Sequence, residues 1–556
     1  MTTPAVARAL GHRSPQRPPT PALVATQLGY AVRELWRTRI VLIFTAVLPL
    51  VWLAVIGLLA GNALLDDGSG IRVMQFATPA AAAMGILYAS YPTLAISLSL
   101  ARDQGILKRI RGTPLPAWTY LVGRIGGAVT FALGSLLALV LLGGGAYSVQ
   151  VVWRTVPATV VTVALGIACF AALGLAVAAL SPSASVAQAV SIATAVLLTF
   201  VSDLFTFGAE SPAWLSRLGS VFPLKHLVRA LQGQFDPFAT GAGWDLTALA
   251  VMAAWLLASL LVAARAFRWD PPAGGARRTA GAASRPDAGT PAVAATAPGR
   301  PSYVAMGMAQ ARFADRAAWR DPGWVFFAVA MPVGLYAFMS AMYGDSGLRP
   351  DGLPFAQWFA AGMIAYGAGV TAFINMPEAV ATARDRGILK RLRGTPLPPG
   401  LYLAGRTATV VWIAGVTAVL VLATGLLFFD LEVSVAGLLP AAFVLALGTV
   451  TMGACGLALA SVVPDSKAMT AVGLAILLPL SFFSDVFPVG DPPAWMGTVG
   501  SLFPLQHLSN ALMETLDPSG PSLSWVHVAV MLAWLAGAAL VAARRFRWDP
   551  GQGRTG

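Results

Sequence analysis

The chain has 556 residues, of which 57% are hydrophobic and 11% charged, with a mean hydropathy of +0.71 and a net charge of +13. Soluble domains carry about 25% charged residues, so a soluble globular chain is excluded and a polytopic membrane protein is expected. The excess Lys and Arg punctuates apolar segments instead of gathering on one face, which speaks for the positive-inside bias of membrane loops and against a nucleic-acid partner.

Residues 1–20 hold Pro, Arg and Thr around no apolar core, so they are expected to be a disordered cytoplasmic tail and not a cleavable signal. From 21 to 37, Val24, Leu28, Val32, Leu35 and Trp36 follow helical spacing while Gln27, Arg33, Glu34 and Arg37 take the other side. That pattern predicts an amphipathic helix along the membrane surface, and 303–319 matches it. Six apolar runs long enough to span then follow each surface helix, a span needing about 20 residues. They lie near 39–61, 74–100, 117–143, 155–180, 186–206 and 244–265, and near 323–343, 355–382, 399–428, 434–462, 468–488 and 524–543. The expected fold is all-α with 12 transmembrane helices as two six-helix repeats, a first unit at 21–270 and a second at 303–550. Residues 271–302 between them are rich in Ala, Gly, Pro and Arg and read as a flexible cytoplasmic linker.

The repeat is explicit in one stretch. Ala101-Arg-Asp-Gln-Gly-Ile-Leu-Lys-Arg-Ile-Arg-Gly-Thr-Pro-Leu-Pro116 returns almost verbatim as Ala383 to Pro398. One shift of 282 residues relates Asp103 to Asp385, Arg124 to Arg406 and Pro182 to Pro464, so the chain holds a tandem duplication. Both copies fall between the second and third spans of their unit, on the side where basic loops are kept, with both termini on that side too. Only Arg72, Arg154, Arg217, Lys225, Arg229 and Arg349 are then left on the outer side. An even number of spans per unit inserts both units the same way up, with a pathway on the pseudo-two-fold axis between them.

Within the stretch, Ile106, Leu107 and Ile110 share one helical face and the basic residues spread over the rest, predicting a short helix. Gly112 is expected to end it, and Thr113 before Pro114 to cap the next. The plainer reading is a loop whose charge merely sets orientation. Repetition of the uncharged positions argues against it, since orientation needs charge and not shape.

A second repeated feature precedes the last span of each unit: Pro223-Leu-Lys-His226 and Pro504-Leu-Gln-His507, each after an interfacial Trp at 214 or 495. Short apolar helices there suggest re-entrant outer loops roofing the pathway. One His per loop with no second ligand nearby makes His226 and His507 structural and not metal-binding. The loops differ in charge, Lys225 and Arg229 standing opposite Gln506 and Asn510, a difference that could bear on cargo. Glu378, in the eighth span where the first unit has Ile96, is a pathway candidate because an intramembrane acid needs a reason to be there. Cys169 and Cys455 lie inside apolar runs without matching under the repeat, so they are expected to be packing residues. None of the four lysines, Lys108, Lys225, Lys390 and Lys467, sits in a phosphate-cradling G-x-x-x-x-G-K-[ST] loop, and no metalloprotease or nucleophile-elbow motif occurs. No catalytic role is expected.

Together these residues resemble the permeases of the ABC exporter type-2 class, the group that includes the daunorubicin-resistance membrane subunit. The resemblance rests on the surface helix, the R-[DE]-x-G-[TI]-L-x-x-[LI]-[RK]-x-T-P-L stretch, the short turn between spans four and five, and the Pro-Leu outer loop. It covers both units. Ile106 and Ile388 stand where many relatives carry Thr. The resemblance implies that the chain binds no cofactor itself, ATP and Mg2+ being held by separate ABC ATPase subunits, expected in two copies. It implies that Arg102, Asp103, Gly105, Lys108, Arg109 and Arg111, with Arg384, Asp385, Gly387, Lys390, Arg391 and Arg393, dock those subunits. Ser181, Pro182, Pro464 and Asp465 would be secondary contacts. By the same analogy spans two and five of each unit line the path, suggesting Phe76, Tyr88, Tyr91, Phe200, Trp358, Tyr366, Phe373 and Phe482 as contacts for a hydrophobic, drug- or antibiotic-like molecule leaving a bacterial cell through the plasma membrane. A proton-driven transporter of the major facilitator kind has the same number of spans, but its G-x-x-x-D-[RK]-x-G-[RK]-[RK] loop is not met. Lipid or polysaccharide export is a further reading, and a membrane scaffold without transport a third.

Overall fold

The computed structural model describes residues 20–37, 48–61, 63–64, 70–113, 115–202, 204, 213–267, 302–343, 354–463, 466–487 and 494–546. Among them there is no strand beyond a single bridge between Leu64 and Arg72. The helices come in one order, twice. The first set is α1 (Thr20–Arg37), α2 (Leu48–Ala60), α3 (Val73–Asp103), α4 (Ile106–Arg111), α5 (Ala117–Tyr147), α6 (Val156–Leu180), α7 (Ala184–Val201), α8 (Ala213–Gly219), α9 (Pro223–Phe235) and α10 (Leu246–Ala266). The second is α11 (Tyr303–Trp319), α12 (Pro322–Tyr343), α13 (Phe355–Asp385), α14 (Ile388–Leu392), α15 (Pro399–Phe428), α16 (Leu438–Val462), α17 (Ser466–Phe483), α18 (Ala494–Gly500), α19 (Pro504–Leu516) and α20 (Trp525–Arg545). Thus α11 repeats α1, and so on to α20 and α10.

Ten of these helices are long and apolar enough to cross a membrane, against the twelve expected. The other two expected spans correspond to α2 and α17, which are apolar but shorter over the described residues. Most of the expected tail and linker lie outside the described residues.

The central helix of each half is α3 or α13. The apolar window of α3 is 89% buried and that of α13 wholly so, whereas the windows of α10 and α20 are only 22% and 17% buried. Ala80 to Ala83 in α3 and Gly362, Gly367 and Gly369 in α13 let neighbouring helices approach these two closely. Pro92 inside α3 removes the N–H that Tyr88 O would have received, and Thr93 Oγ1 donates to that carbonyl instead, at 2.9 Å. The equivalent part of α13 is wound differently: Val370–Asn375 is π-helical, immediately before Pro377.

Small residues set the crossings. A Cβ on Gly174 of α6 would sit 2.6 Å from Tyr91 O of α3, and one on Gly456 of α16 would sit 2.6 Å from Phe373 O of α13. Gly123 and Gly405 do the same where α1 and α11 cross α5 and α15, against Gln27 and Gln310. Arg124 fastens the first of these crossings by ion pairing with Glu34 at 2.9 Å and by a hydrogen bond to Tyr120 Oη, also at 2.9 Å. Helices α2 with α17, and α7 with α12, join the halves.

Gly456→Val forces backbone apart and is expected to cost on the order of 1–3 kcal/mol. Gly415→Ala, with no neighbour inside 4 Å of its Cβ, is expected to be neutral or stabilising. Thermal melting of the two purified variants against the parent checks the pair.

Candidate functional site

The repeated Arg-Asp pair closes a turn between three helices. Arg102 lies in the last turn of α3 and is 3% exposed. Its Nη1 donates to Ala178 O at 2.9 Å and its Nη2 to Ser181 O at 2.6 Å, both at the C-terminal end of α6. Asp103 Oδ2 accepts from the N–H of Ala184, the first residue of α7, at 2.7 Å. Its Oδ1 lies 3.7 Å from Arg102 Nε. The second half repeats this: Arg384 donates to Ala460 O at 3.0 Å and Val463 O at 3.4 Å, and Asp385 Oδ2 accepts from Ser466 N at 2.9 Å. Each charge meets the helix end that suits it, guanidinium on orphan carbonyls and carboxylate on an orphan N–H. Arg-then-Asp therefore works as a clamp holding the end of α3 to the turn between α6 and α7. A lysine has no planar fork with which to reach both carbonyls.

From the clamp, Gly105 and Gly387 turn the chain into α4 and α14 with φ of +69° and +68°, a conformation that side chains resist. Leu107 and Leu389 then plug the short helices into the bundle, Leu107 against Leu98, Tyr120 and Leu175, and Leu389 against Val380 and Tyr402. Lys108, Arg109 and Arg111, and Lys390, Arg391 and Arg393, point outward. The twelve residues expected to dock a partner thus divide into two buried arginines, two aspartates engaged with a helix end, two turn glycines and six exposed cations. Gly112 ends α4 as expected, with right-handed φ of −81°, the left-handed glycine being the one before the helix. One local expectation is corrected. Thr113 and Thr395 do not cap the following helices, which begin at Ala117 and Pro399; their hydroxyls donate back to Ile110 O and Leu392 O at 2.7 Å. Ser181 is buried with its carbonyl in the clamp, Pro182 is exposed, and Pro464 and Asp465 lie outside the described residues.

Between the halves lies a cavity of about 160 Å³. Matched positions of the two halves face it in pairs: Tyr88 with Val370, Gln188 with Thr470, and Ile192 with Leu474. Of the expected path residues, Tyr88 and Tyr366 line it. The rest are packed elsewhere. Tyr91 is hydrogen-bonded to Thr194 at 2.6 Å, Phe200 packs on Phe338 with ring centroids 5.3 Å apart, and Trp358 bonds Asp485 at 3.3 Å. Phe482 sits against Phe487, Phe373 is buried beneath Gly456, and Phe76 is half-buried on α3. Glu378 lies one turn beyond the cavity-lining Asn375 and hydrogen-bonds Thr470 of the lining. Gln188, Asn375 and Thr470 were missed in the sequence. Their only signal there is a polar side chain within an apolar run.

At the opposite end of the bundle, α9 and α19 pack on α3 and α13 of their own half, and none of their residues lines the cavity. His226 and His507 each reach the carbonyl of a serine after the preceding short helix, Ser220 and Ser501, at 2.8 Å. Lys225, expected to differ from Gln506 for cargo's sake, is instead 1% exposed and donates to Ser216 O and Oγ at 3.1 and 2.9 Å. In the second half His507 Nδ1 also lies 2.7 Å from His527 Nδ1, and His527 Nε2 lies 3.3 Å from Glu514 Oε1. The three groups form a chain, so the expectation that His507 has no second histidine nearby is corrected.

Burial, and the imidazole of His527 beside it, hold His507 below its usual pKa of 6.5, the Ser501 carbonyl opposing them. A group so depressed contributes stability that is present above its unfolded pKa and lost as pH falls towards its folded one. Melting temperature is therefore expected to fall from pH 7.5 to pH about 5.5 in the parent, and to fall less in His507→Gln.

A family model described as ABC-2 type transporter matches residues 25–235 and 309–516, one segment in each half and together more than half of the chain. Among curated proteins no match is found. Both matched segments contain the clamp, the short basic helix and the outer-loop helix, so the chain, a multi-pass membrane protein, belongs to the ABC-2 type transporter family as a permease.

Proposed function

We propose that this chain is the whole membrane part of an ATP-driven exporter, two permease units joined in one polypeptide, which carries hydrophobic or amphipathic drug-like molecules out of a bacterial cell. ABC-2 permeases normally work with ABC ATPase subunits. On this reading two ATPase copies, holding ATP and Mg2+, sit under α4 and α14 on the cytoplasmic side, where both termini also lie. Lys108, Arg109 and Arg111, with their three counterparts, are the surface met first by an acidic groove. The plasma membrane is the site of action.

The observation that carries this reading is the clamp. A push on α4 cannot be absorbed by a soft loop, because Arg102 and Asp103 fix its base to α6 and α7 while Leu107 fixes its side. Helices α3 and α7 line the cavity, as do α13 and α17, so displacement of the basic helices moves the cavity walls. Drug-sized sites occupy roughly 300–1,000 Å³, so the present cavity must widen to take cargo, which is the work asked of ATP. The two states must differ in cargo affinity for that work to produce transport.

Affinity capture of the ATPase from native membranes tests the reading. Replacing Lys108, Arg109, Lys390 and Arg391 by Glu is expected to lower capture by about tenfold or more with the melting temperature unchanged. Asp103→Arg with Asp385→Arg is expected to lower both, since it places a cation on a helix N-terminus. Undiminished capture by the first variant, or no ATPase captured by the parent, contradicts the reading.

A further inference from the structure

The cavity is lined by matched positions, but its two walls are not alike. Tyr366, Ile374 and Asn375 of α13 and Phe327 and Met331 of α12 face it, whereas the first-half equivalents of the α13 residues, Met84, Pro92 and Thr93, do not. Both second-half helices are π-helical here, at Phe326–Ala330 and Val370–Asn375, where the first-half counterpart of the latter is ordinary α-helix. A π turn inserts a residue and re-aims side chains, and such turns are frequent at functional sites. Among the residues they present is one polar side chain, Asn375. Asn375 is 7% exposed, and its Nδ2 has no hydrogen-bond partner. Leaving an amide so costs free energy that a bound acceptor would recover. Thr93 at the same place in the first half already spends its hydroxyl on Tyr88 O.

One turn further towards the basic helices, Glu378 stands where the first half has Ile96. It hydrogen-bonds Thr470 of the cavity wall, and the charge acting on it among the described residues is a second acid, Asp321. Asp321 caps the start of α12 through Gly323 and Trp324, at 3.0 and 3.3 Å. No described basic side chain forms an ion pair with Glu378. Glu378 thus stands just behind one end of an apolar, tyrosine-bearing cavity, held to its wall through Thr470, with the unpaired amide of Asn375 in the wall beside it and the exposed Asp321 acting on it from outside. Aromatic faces and a carboxylate at the end of an apolar slot are what an organic cation requires.

We propose that the cavity takes amphipathic organic cations and that the second half alone recognises their charge, with Glu378 as the counter-ion, Asn375 as the polar contact beside it, and Tyr88, Tyr366 and Phe327 around the apolar body. This rests on the reading of the cavity as the cargo path. Its selectivity is for charge sign, since the residues that line the rest of the wall, Gln188 and Thr470 among them, are uncharged.

Tetraphenylphosphonium and tetraphenylborate have one shape and opposite charge, and their equilibrium binding to the detergent-purified full chain tests the proposal without any ATPase. The parent is expected to bind the phosphonium about tenfold or more tighter than the borate. Glu378→Gln is expected to remove that preference, and Glu378→Asp to keep it, a rescue that a packing role would not show. Equal binding of both ions, binding of neither, or a preference that survives Glu378→Gln overturns the proposal. The outcomes separate from those of the export reading: successful ATPase capture with no charge preference sinks this inference alone, and charge preference without capture sinks the export reading alone.

Discussion

Everything at the basic end of the bundle depends on two helix termini being neutralised from a third helix. The carbonyls closing α6 and the N–H opening α7 have no partners within their own helices. Arg102 and Asp103, adjacent in the chain, answer both at once, and Arg384 and Asp385 do so again. The central helix of each half thereby becomes continuous, mechanically, with two others. Removing either charge leaves one of the two helix ends unanswered, so the junction needs both.

Small residues complete the coupling. Because Gly174 and Gly456 let α6 and α16 touch the backbones of α3 and α13, the helices fixed by the clamp are also in close contact along their lengths. A half built this way moves as a body more readily than it bends. The cavity lies where the two halves meet, and the shorter helices α2 and α17 and the pairing of α7 with α12 are the seams between them. Duplication supplies matched walls; the π turns of α12 and α13, with Asn375 and Glu378, then make one wall different. Two equal halves recognise a molecule of any handedness or polarity poorly. An unequal pair can grip one end of it.

Much of this was legible in the sequence, for identifiable reasons. Apolar runs of sufficient length and the constant shift of 282 residues place the spans, because a bilayer imposes length and a duplication preserves spacing. That the outer-loop histidines reach serine carbonyls, and that His507 meets His527, is not visible in spacing along the chain. What failed was direction. Composition shows that Arg102 and Arg109 are both basic, but not that one turns inward to carbonyls from a turn some eighty residues away while the other faces out. Lys225 is a case of the same kind, since its place in a loop does not show that its ammonium turns to the Ser216 carbonyl. Aromatic residues suggested the path because rings suit apolar cargo, yet Trp358 and Phe200 had packing partners that one-dimensional spacing could not display. The polar residues that do face the cavity stand singly in apolar runs, and a π turn leaves no mark on the hydrophobic period around it.

The most direct test of the account is a pair of distances by spin labelling, in a background with Cys169→Ala and Cys455→Ala. Labels at Lys108→Cys and Ser185→Cys report on the clamp within one half, and labels at Lys108→Cys and Lys390→Cys report across the halves. On adding the ATPase with a non-hydrolysable ATP analogue, the account predicts that the cross-half distance shifts by several ångströms while the within-half distance stays unchanged. A within-half distance that changes as much as the cross-half one would show that the basic helix moves on its own and that the clamp does not transmit force.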